Sequence, residues 1–280
     1  MARGATWALM VGGLAVAWSA RAQIVTQPLP GIEAGIVVRP GDQIDPALSS
    51  PFGSFVAFTD LATQPSAVWY CRLQGLACLP FQVPASTGNQ YTPAVAGDLL
   101  VYVDEGQFGP RRGNIVRLSV TQGLHGPVAP FDAPQSRPAV SDRLVAWAGA
   151  RDPATGIAVW AHDNLLGGEW SITGTGTQRS PRASGTLVSY LDEADGAVKV
   201  YDLASGVTTV AYPAPAVFAD VDGAAVVVQT AAGDLEVRSA DGLQLASLIL
   251  PGLQSNPHIS GDWVAFQDYS TLVSRVIVWN

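Results

Sequence analysis

The side chains best suited to chemistry in this chain are three histidines, a set of turn aspartates and a few arginines set beside aromatics. His125, His162 and His258 are the only histidines, and they lie far apart in the chain. A metal centre or a proton relay needs several such groups converging on one point. Nothing in the spacing predicts that, so all three are expected at ordinary polar positions. Leu-His125-Gly-Pro and Ala-His162-Asp-Asn read as turns, whereas His258 falls in a strand that can face a central channel. Asp60, Asp104, Asp192 and Asp268 each follow a short apolar run, and Asp at such a place caps the next turn through the backbone amides. A calcium site is the functional counterpart, with Asp192 and Asp195 as its best local pair, but no complete calcium loop is present. Hydrolysis by paired carboxylates is the catalytic counterpart; from Asp104, Glu105, Asp192 and His258 it would need two groups about 5–10 Å apart. The chain carries no Gly-x-Ser-x-Gly elbow, phosphate loop, dinucleotide fingerprint or HExxH helix. No catalytic residue, cofactor or metal ligand is therefore assigned.

Recognition chemistry is better supplied. The stretch Asp104–Asn114 holds Glu105, Phe108, Arg111 and Arg112, and Arg151 and Asp152 lie in the corresponding stretch farther along. Arginines and aromatics on loops over a rigid frame are typical of partner-binding surfaces, and these six residues form the candidate ligand-binding face.

A repeat must position them. Gln254–Asp268, QSNPHISGDWVAFQD, recurs in weakened form along the chain. The copies begin with Gln43-Ile-Asp-Pro46, Gln90-Tyr-Thr-Pro93, Gln135-Ser-Arg-Pro138 and Gln178-Arg-Ser-Pro181. A fifth, near residue 216, lacks both Gln and Pro but keeps Val221-Asp-Gly223. Successive spacings of 47, 45, 43, 38 and 38 residues mark an array of small units, none able to bury its own apolar face. Each unit reads as strands. Side chains alternate across a strand, so Val264 and Phe266 share one face and the smaller Ala265 takes the other. Large residues facing one way and small ones the other suit sheets stacked face to face. Further alternating runs, such as Val198–Tyr201, Leu235–Val237 and Val276–Trp279, supply third strands, and turns lead on to a fourth. The prediction is an all-β fold, a six-bladed β-propeller with four-stranded antiparallel blades. The last copy ends at Asn280 without a fourth strand. Ile36-Val-Val38, followed by Pro-Gly-Asp-Gln43, matches Ser247–Leu250, followed by Pro-Gly-Leu-Gln254. An N-terminal strand at 36–38 is thus expected to complete the last blade and close the ring.

Residues 1–22 read as a secretory signal, with Arg3, an apolar run from Trp7 to Trp18 and Ala20-Arg-Ala22 as the cleavage site. The run is short for a membrane span. Residues 23–34 form an extended lead-in, and 35–280 form one propeller domain. The net charge is −8 and Lys199 is the only lysine. An acidic chain without a basic run disfavours nucleic acid and anionic membrane surfaces. Cys71 and Cys78 flank a turn between the third and fourth strands of blade one. An exported chain favours a disulfide there, with a free thiol pair or a metal site as alternatives.

With the repeat in view, the chain resembles the TolB-like six-bladed propellers. It is similar in particular to exported bacterial repeats reading Gln-x-x-Pro-x-Ile-Ser-Gly-Asp, then Val-x-Phe/Trp-x-Asp, then Val-x-Val-Tyr-Asp-Leu-x-Ser-Gly. Blade six carries the first two parts and Val198–Gly206 the third. The likeness covers about 36–280. The α/β domain that precedes the propeller in TolB has no counterpart in these residues, so TolB's envelope role does not carry over. The resemblance implies a protein or peptide bound at the channel mouth without a cofactor. The expected function is thus an exported monomeric binding scaffold, periplasmic or extracellular and not inserted in a membrane. An enzyme acting on extracellular polysaccharide, lyase or hydrolase, and a glycan-binding propeller are the alternatives.

Overall fold

Among the residues described in the computed structural model, every element is a strand. The structure describes residues 24–25, 42–48, 55–74, 77–107, 113–130, 133–150, 156–173, 176–270 and 275–280. A short β1 (Ile24–Val25) precedes blade one, which comprises β2 (Gln43–Leu48), β3 (Phe55–Asp60), β4 (Ala67–Gln74), β5 (Ala77–Cys78) and β6 (Phe81–Gln82). Blade two is β7 (Gln90–Ala96), β8 (Leu99–Asp104), β9 (Asn114–Ser119) and β10 (His125–Pro127). Blade three is β11 (Gln135–Val140), β12 (Leu144–Gly149), β13 (Ala158–Asp163) and β14 (Glu169–Ser171). Blade four is β15 (Gln178–Ser184), β16 (Leu187–Asp192), β17 (Val198–Asp202) and β18 (Val207–Tyr212). Blade five is β19 (Ala216–Asp222), β20 (Ala225–Thr230), β21 (Leu235–Ser239) and β22 (Gln244–Leu248), and blade six is β23 (Gln254–Ser260), β24 (Trp263–Asp268) and β25 (Arg275–Trp279). These form six antiparallel sheets, with β1 hydrogen-bonded to β25 at the outer edge of the last.

The alternation in the second strands builds the contacts between blades. Leu100 and Tyr102 face back to blade one, in a buried cluster with Phe55, Ala57 and Val68. Val101 and Val103 face forward, against Val140, Val145 and Trp147 of blade three. Val226 and Val228 likewise face blade four while Val227 faces blade six, where Val264 and Phe266 meet it. Five such clusters join consecutive blades from one to six. Tyr102, Trp147 and Phe266 are fully buried in them, and each large side chain removed from water contributes about 2–3 kcal/mol.

The repeated glutamines tie each blade to the crossing before it. Gln90 donates through Nε2 to Pro84 O at 2.8 Å and to Asp104 Oδ2 at 2.9 Å. Gln135 donates to Ala129 O at 2.8 Å while its Oε1 accepts the Ile115 N–H at 2.7 Å. A buried amide so placed costs little because its hydrogen bonds are made.

Two sequence expectations are modified. His125 and His162 lie in strands, β10 and β13, and not in turns. A Gly-Pro pair is tolerated at the outer edge of a blade because few backbone donors are needed there; Pro127 pairs with Val116 on β9. At His162 the turn begins later, where Asp163 Oδ1 accepts the N–H groups of Leu165 and Leu166 at 2.8 and 3.0 Å. The strand beside β25 is Ile24–Val25, within the stretch expected as a lead-in; residues 36–38 lie outside the described residues. A fourth strand packs on one side only, so short apolar segments compete for the position on nearly equal terms. The Cys71–Cys78 disulfide is present, with Cα atoms 5.6 Å apart, and it clips β4 to the short added strand β5.

Candidate functional site

The first strand of each blade lies innermost, and in five of the six a bulge falls at the same place. Asp45, Thr92, Arg137, Ser180 and Asn256 precede the repeat proline and sit at φ of 49° to 54°. The register slips there in these five first strands, for example between Tyr91 and Ala94, whereas in blade five it slips earlier, between Ala216 and Phe218. Left-handed backbone is costly for an L-residue, about 1–2 kcal/mol, and short polar side chains tolerate it best. Blade five has no proline at this point, and there the equivalent residue is Phe218.

Two residues beyond the bulge, each first strand pairs with the middle of its second strand. The residues at that point are Ala47, Ala94, Ala139, Arg182, Asp220 and His258. Three blades thus place alanine at this inner-strand position, packed against neighbouring blades or buried, while blades four, five and six place a cation, an acid and an imidazole there.

These three groups touch one another. His258 Nδ1 lies 3.1 Å from Asp220 Oδ2, which also accepts the Ile259 N–H at 3.2 Å. The Arg182 Nε stands 3.8 Å from Asp220 Oδ1. Its guanidinium lies 4.9 Å from the centre of the Phe218 ring, a cation–π contact worth about 1 kcal/mol. His258 meets the same ring edge-on at 5.6 Å. From blade three, Arg137 reaches across and donates through Nη1 to Ser180 Oγ at 2.6 Å. Burial pushes the Arg182 guanidinium below its usual range; the Asp220 charge opposes that shift and the Arg137 charge adds to it. The side chains of Arg182, Asp220 and His258 are 28%, 14% and 60% exposed, so the arc opens toward solvent at its His258 end.

The carboxylates singled out by sequence have mostly structural duties. Asp104 is fully buried and accepts from Gln90, from Ser86 Oγ at 2.6 Å and from the N–H groups of Gly106 and Gln107. Glu105 accepts Asn89 Nδ2 and Tyr91 Oη, both at 3.0 Å. Burial and that carboxylate push the Tyr91 phenol up to about 12. Asp192 and Asp195 share the Lys199 ammonium at 2.6 and 3.0 Å. The turn-capping expectation therefore holds, and no cluster of three metal-binding side chains occurs among the described residues. Phe108, Arg111, Arg112, Arg151 and Asp152 lie outside the described residues. Glu105 and Gly106 pack on Asn89 and Gly88 of the crossing from blade one, so the loop following β8 starts on the same side of the ring as the crossings.

Sequence reasoning placed His258 on a strand able to face the channel but did not single out Arg137, Phe218 or Asp220. The available signal was the charge at equivalent inner positions of blades four to six, hidden in blade five by its missing Gln and Pro.

No family model and no curated protein matches this chain. Among solved structures, the putative TolB from Agrobacterium tumefaciens is 17% identical at a TM-score of 0.56, over 75% of this chain and 82% of that one. A prolyl endopeptidase is 13% identical at a TM-score of 0.59, over 85% of this chain and 42% of that one. Oligogalacturonate lyase, solved in complex with manganese, is 13% identical at 0.57, over 81% and 70%. The chain spans 54% of TolB from Acinetobacter baumannii and 42% of the endopeptidase, about half the length of these proteins. At such identities the likeness is one of fold. The chain therefore has a six-bladed β-propeller fold similar to that of the putative TolB.

Proposed function

We propose that this protein is an exported, non-catalytic binding scaffold that captures a protein or peptide at the centre of one propeller face. The observation that carries the reading is the one-sided distribution of charged and aromatic side chains over the inner strands. Arg182, Phe218, Asp220 and His258 form a contiguous arc on blades four to six, opposite the alanines of blades one to three. Rigid strands hold these groups, and arginine and aromatic side chains so placed are the usual anchors of an interface. The loops carrying Phe108, Arg111, Arg112, Arg151 and Asp152 would form the rim, with Glu105 as a fixed post at its root. Export is supported by the leader-like residues 1–22 and by the disulfide, which persists in oxidising compartments.

Affinity capture from envelope and culture fractions tests this, with bound proteins identified by mass spectrometry. One dominant partner is expected, with recovery falling about tenfold or more for H258A and for R111A/R112A. His258 is well exposed, so its removal leaves the fold intact. Recovery unchanged by either variant overturns the assignment of the face.

The second reading is an enzyme acting on polysaccharide, and the His258–Asp220 contact favours it, since a carboxylate that orients an imidazole is a common general-base arrangement. Depolymerisation of a uronate glycan by the wild type, abolished in H258A and without any captured protein, would replace the scaffold with that reading.

A further inference from the structure

Two guanidiniums, those of Arg137 and Arg182, stand near a single carboxylate, Asp220, on the inner strands of blades three to five. Arg137 has no carboxylate partner among the described residues; its Nη1 donates to Ser180 Oγ, and its side chain is otherwise exposed. Ser180 stands two residues before Arg182 on β15, so the two guanidiniums approach the same stretch of one strand. Arg182 donates to Pro181 O at 3.3 Å and stands 3.8 Å from Asp220, too far for a hydrogen bond. Asp220 is the single acid of the arc, and its other oxygen is engaged by His258 and Ile259 of blade six. Most N–H donors of both arginines therefore have no acceptor among the described residues. Planar guanidinium forks match a carboxylate through paired hydrogen bonds.

We propose that Arg137 and Arg182 form a binding site for a single carboxylate group of a peptide ligand, with Phe218 and His258 as its flank. This deepens the scaffold reading and rests on it. A single carboxylate fits better than a polyanion. The protein carries a net charge of −8, and the inner strands also carry Asp45 and Asp222. A uronate chain, charged on every sugar, would meet those acids as soon as it extended past the arginines. A lone carboxylate meets only the arginines and the Phe218 ring. Its source is either an Asp or Glu side chain or a free C-terminus.

Fluorescence anisotropy with defined peptide mixtures separates these cases. One mixture contains Asp and Glu, its counterpart contains Asn and Gln, and each is made with a free and an amidated C-terminus. Carboxylate-bearing mixtures should bind the purified protein about tenfold or more tightly than their amide counterparts. R137Q and R182Q should each remove that preference. Arg137 is exposed, so R137Q tests the site without disturbing packing, and a thermal melt checks R182Q. A preference that follows Asp and Glu identifies the side-chain source, and one that follows the free terminus identifies the main-chain source; either supports the site. Equal binding of acid and amide mixtures overturns the carboxylate site and leaves the scaffold reading in place. A preference unchanged in both variants overturns the placement. Failure to bind any peptide, with or without binding of a galacturonate oligomer, overturns the site and the scaffold reading together.

Discussion

Asp268 illustrates how a carboxylate that looks available in the sequence becomes part of the frame. It is fully buried and accepts hydrogen bonds from Ser270 Oγ at 2.6 Å, Arg275 Nε at 2.9 Å, Ser270 N at 3.1 Å and Gln254 Nε2 at 3.3 Å. Burial alone would raise its pKa, but these donors outweigh burial and hold the carboxyl at about 2. Because the folded pKa is depressed, its stabilising effect is fully present above the ordinary carboxylate range and is lost as the pH falls through about 2. We expect D268N to lower stability by about 2–3 kcal/mol at neutral pH, since Arg275 and the turn donors lose their charged acceptor. The variant should also lose less stability than the wild type between pH 4 and 2, roughly the span between the unfolded and folded pKa. Chemical denaturation across that range measures both; parallel curves would show that Asp268 is not so linked. The repeat made this role readable, because Asp at the same turn in several copies points to capping. It did not make the Arg137–Arg182–Asp220 arc readable, since convergence across blades depends on how first strands meet at the axis.

At the scale of elements, strand starts were legible almost throughout. All six first strands begin where the sequence copies begin, at Gln43, Gln90, Gln135, Gln178, Ala216 and Gln254. The reason is physical: in the copies that keep them, the glutamine, the bulge and the proline fall together where the crossing enters the next blade, and blade five enters without the glutamine and proline. Outer strands were less legible, as His125 shows, because an edge with one neighbour constrains composition weakly. The same weakness explains why blade one carries an extra clip. Cys71 is fully buried on β4, and its disulfide closes an eight-residue loop from Cys71 to Cys78. A loop of that size should contribute about 2–3 kcal/mol by limiting the unfolded chain. The C71S/C78S double variant is therefore expected to melt at a lower temperature and to match the reduced wild type. Identical melting of oxidised wild type and double variant would remove the disulfide from the list of stabilising features.

For the whole molecule, the alternation of large and small residues joins each blade to the next, and it is a nearest-neighbour code read directly from the second strands. Closure is a different problem, because the first and last units are brought together only by the complete fold. Among the described residues five buried clusters link the blades in sequence, and no sixth joins blade six to blade one. At that point the edge of β25 is covered by β1, with Ile24 opposite Trp279 and Val25 opposite Val278. The sequence match of Pro-Gly-x-Gln had favoured residues 36–38 for the same place. Both segments are short and apolar, so composition does not choose between them; β1 pairs with β25, and residues 36–38 lie outside the described residues. Proline cannot donate to a strand ladder, and a double replacement within a pairing segment removes its edge contacts. I24P/V25P should therefore lower the denaturation midpoint and increase aggregation through the uncovered edge of β25, whereas I36P/V38P should have the smaller effect. The reverse order would return the closing strand to 36–38. Equal and negligible effects would show that the ring is stable with β25 as its outer edge, its cohesion coming from the clusters between blades.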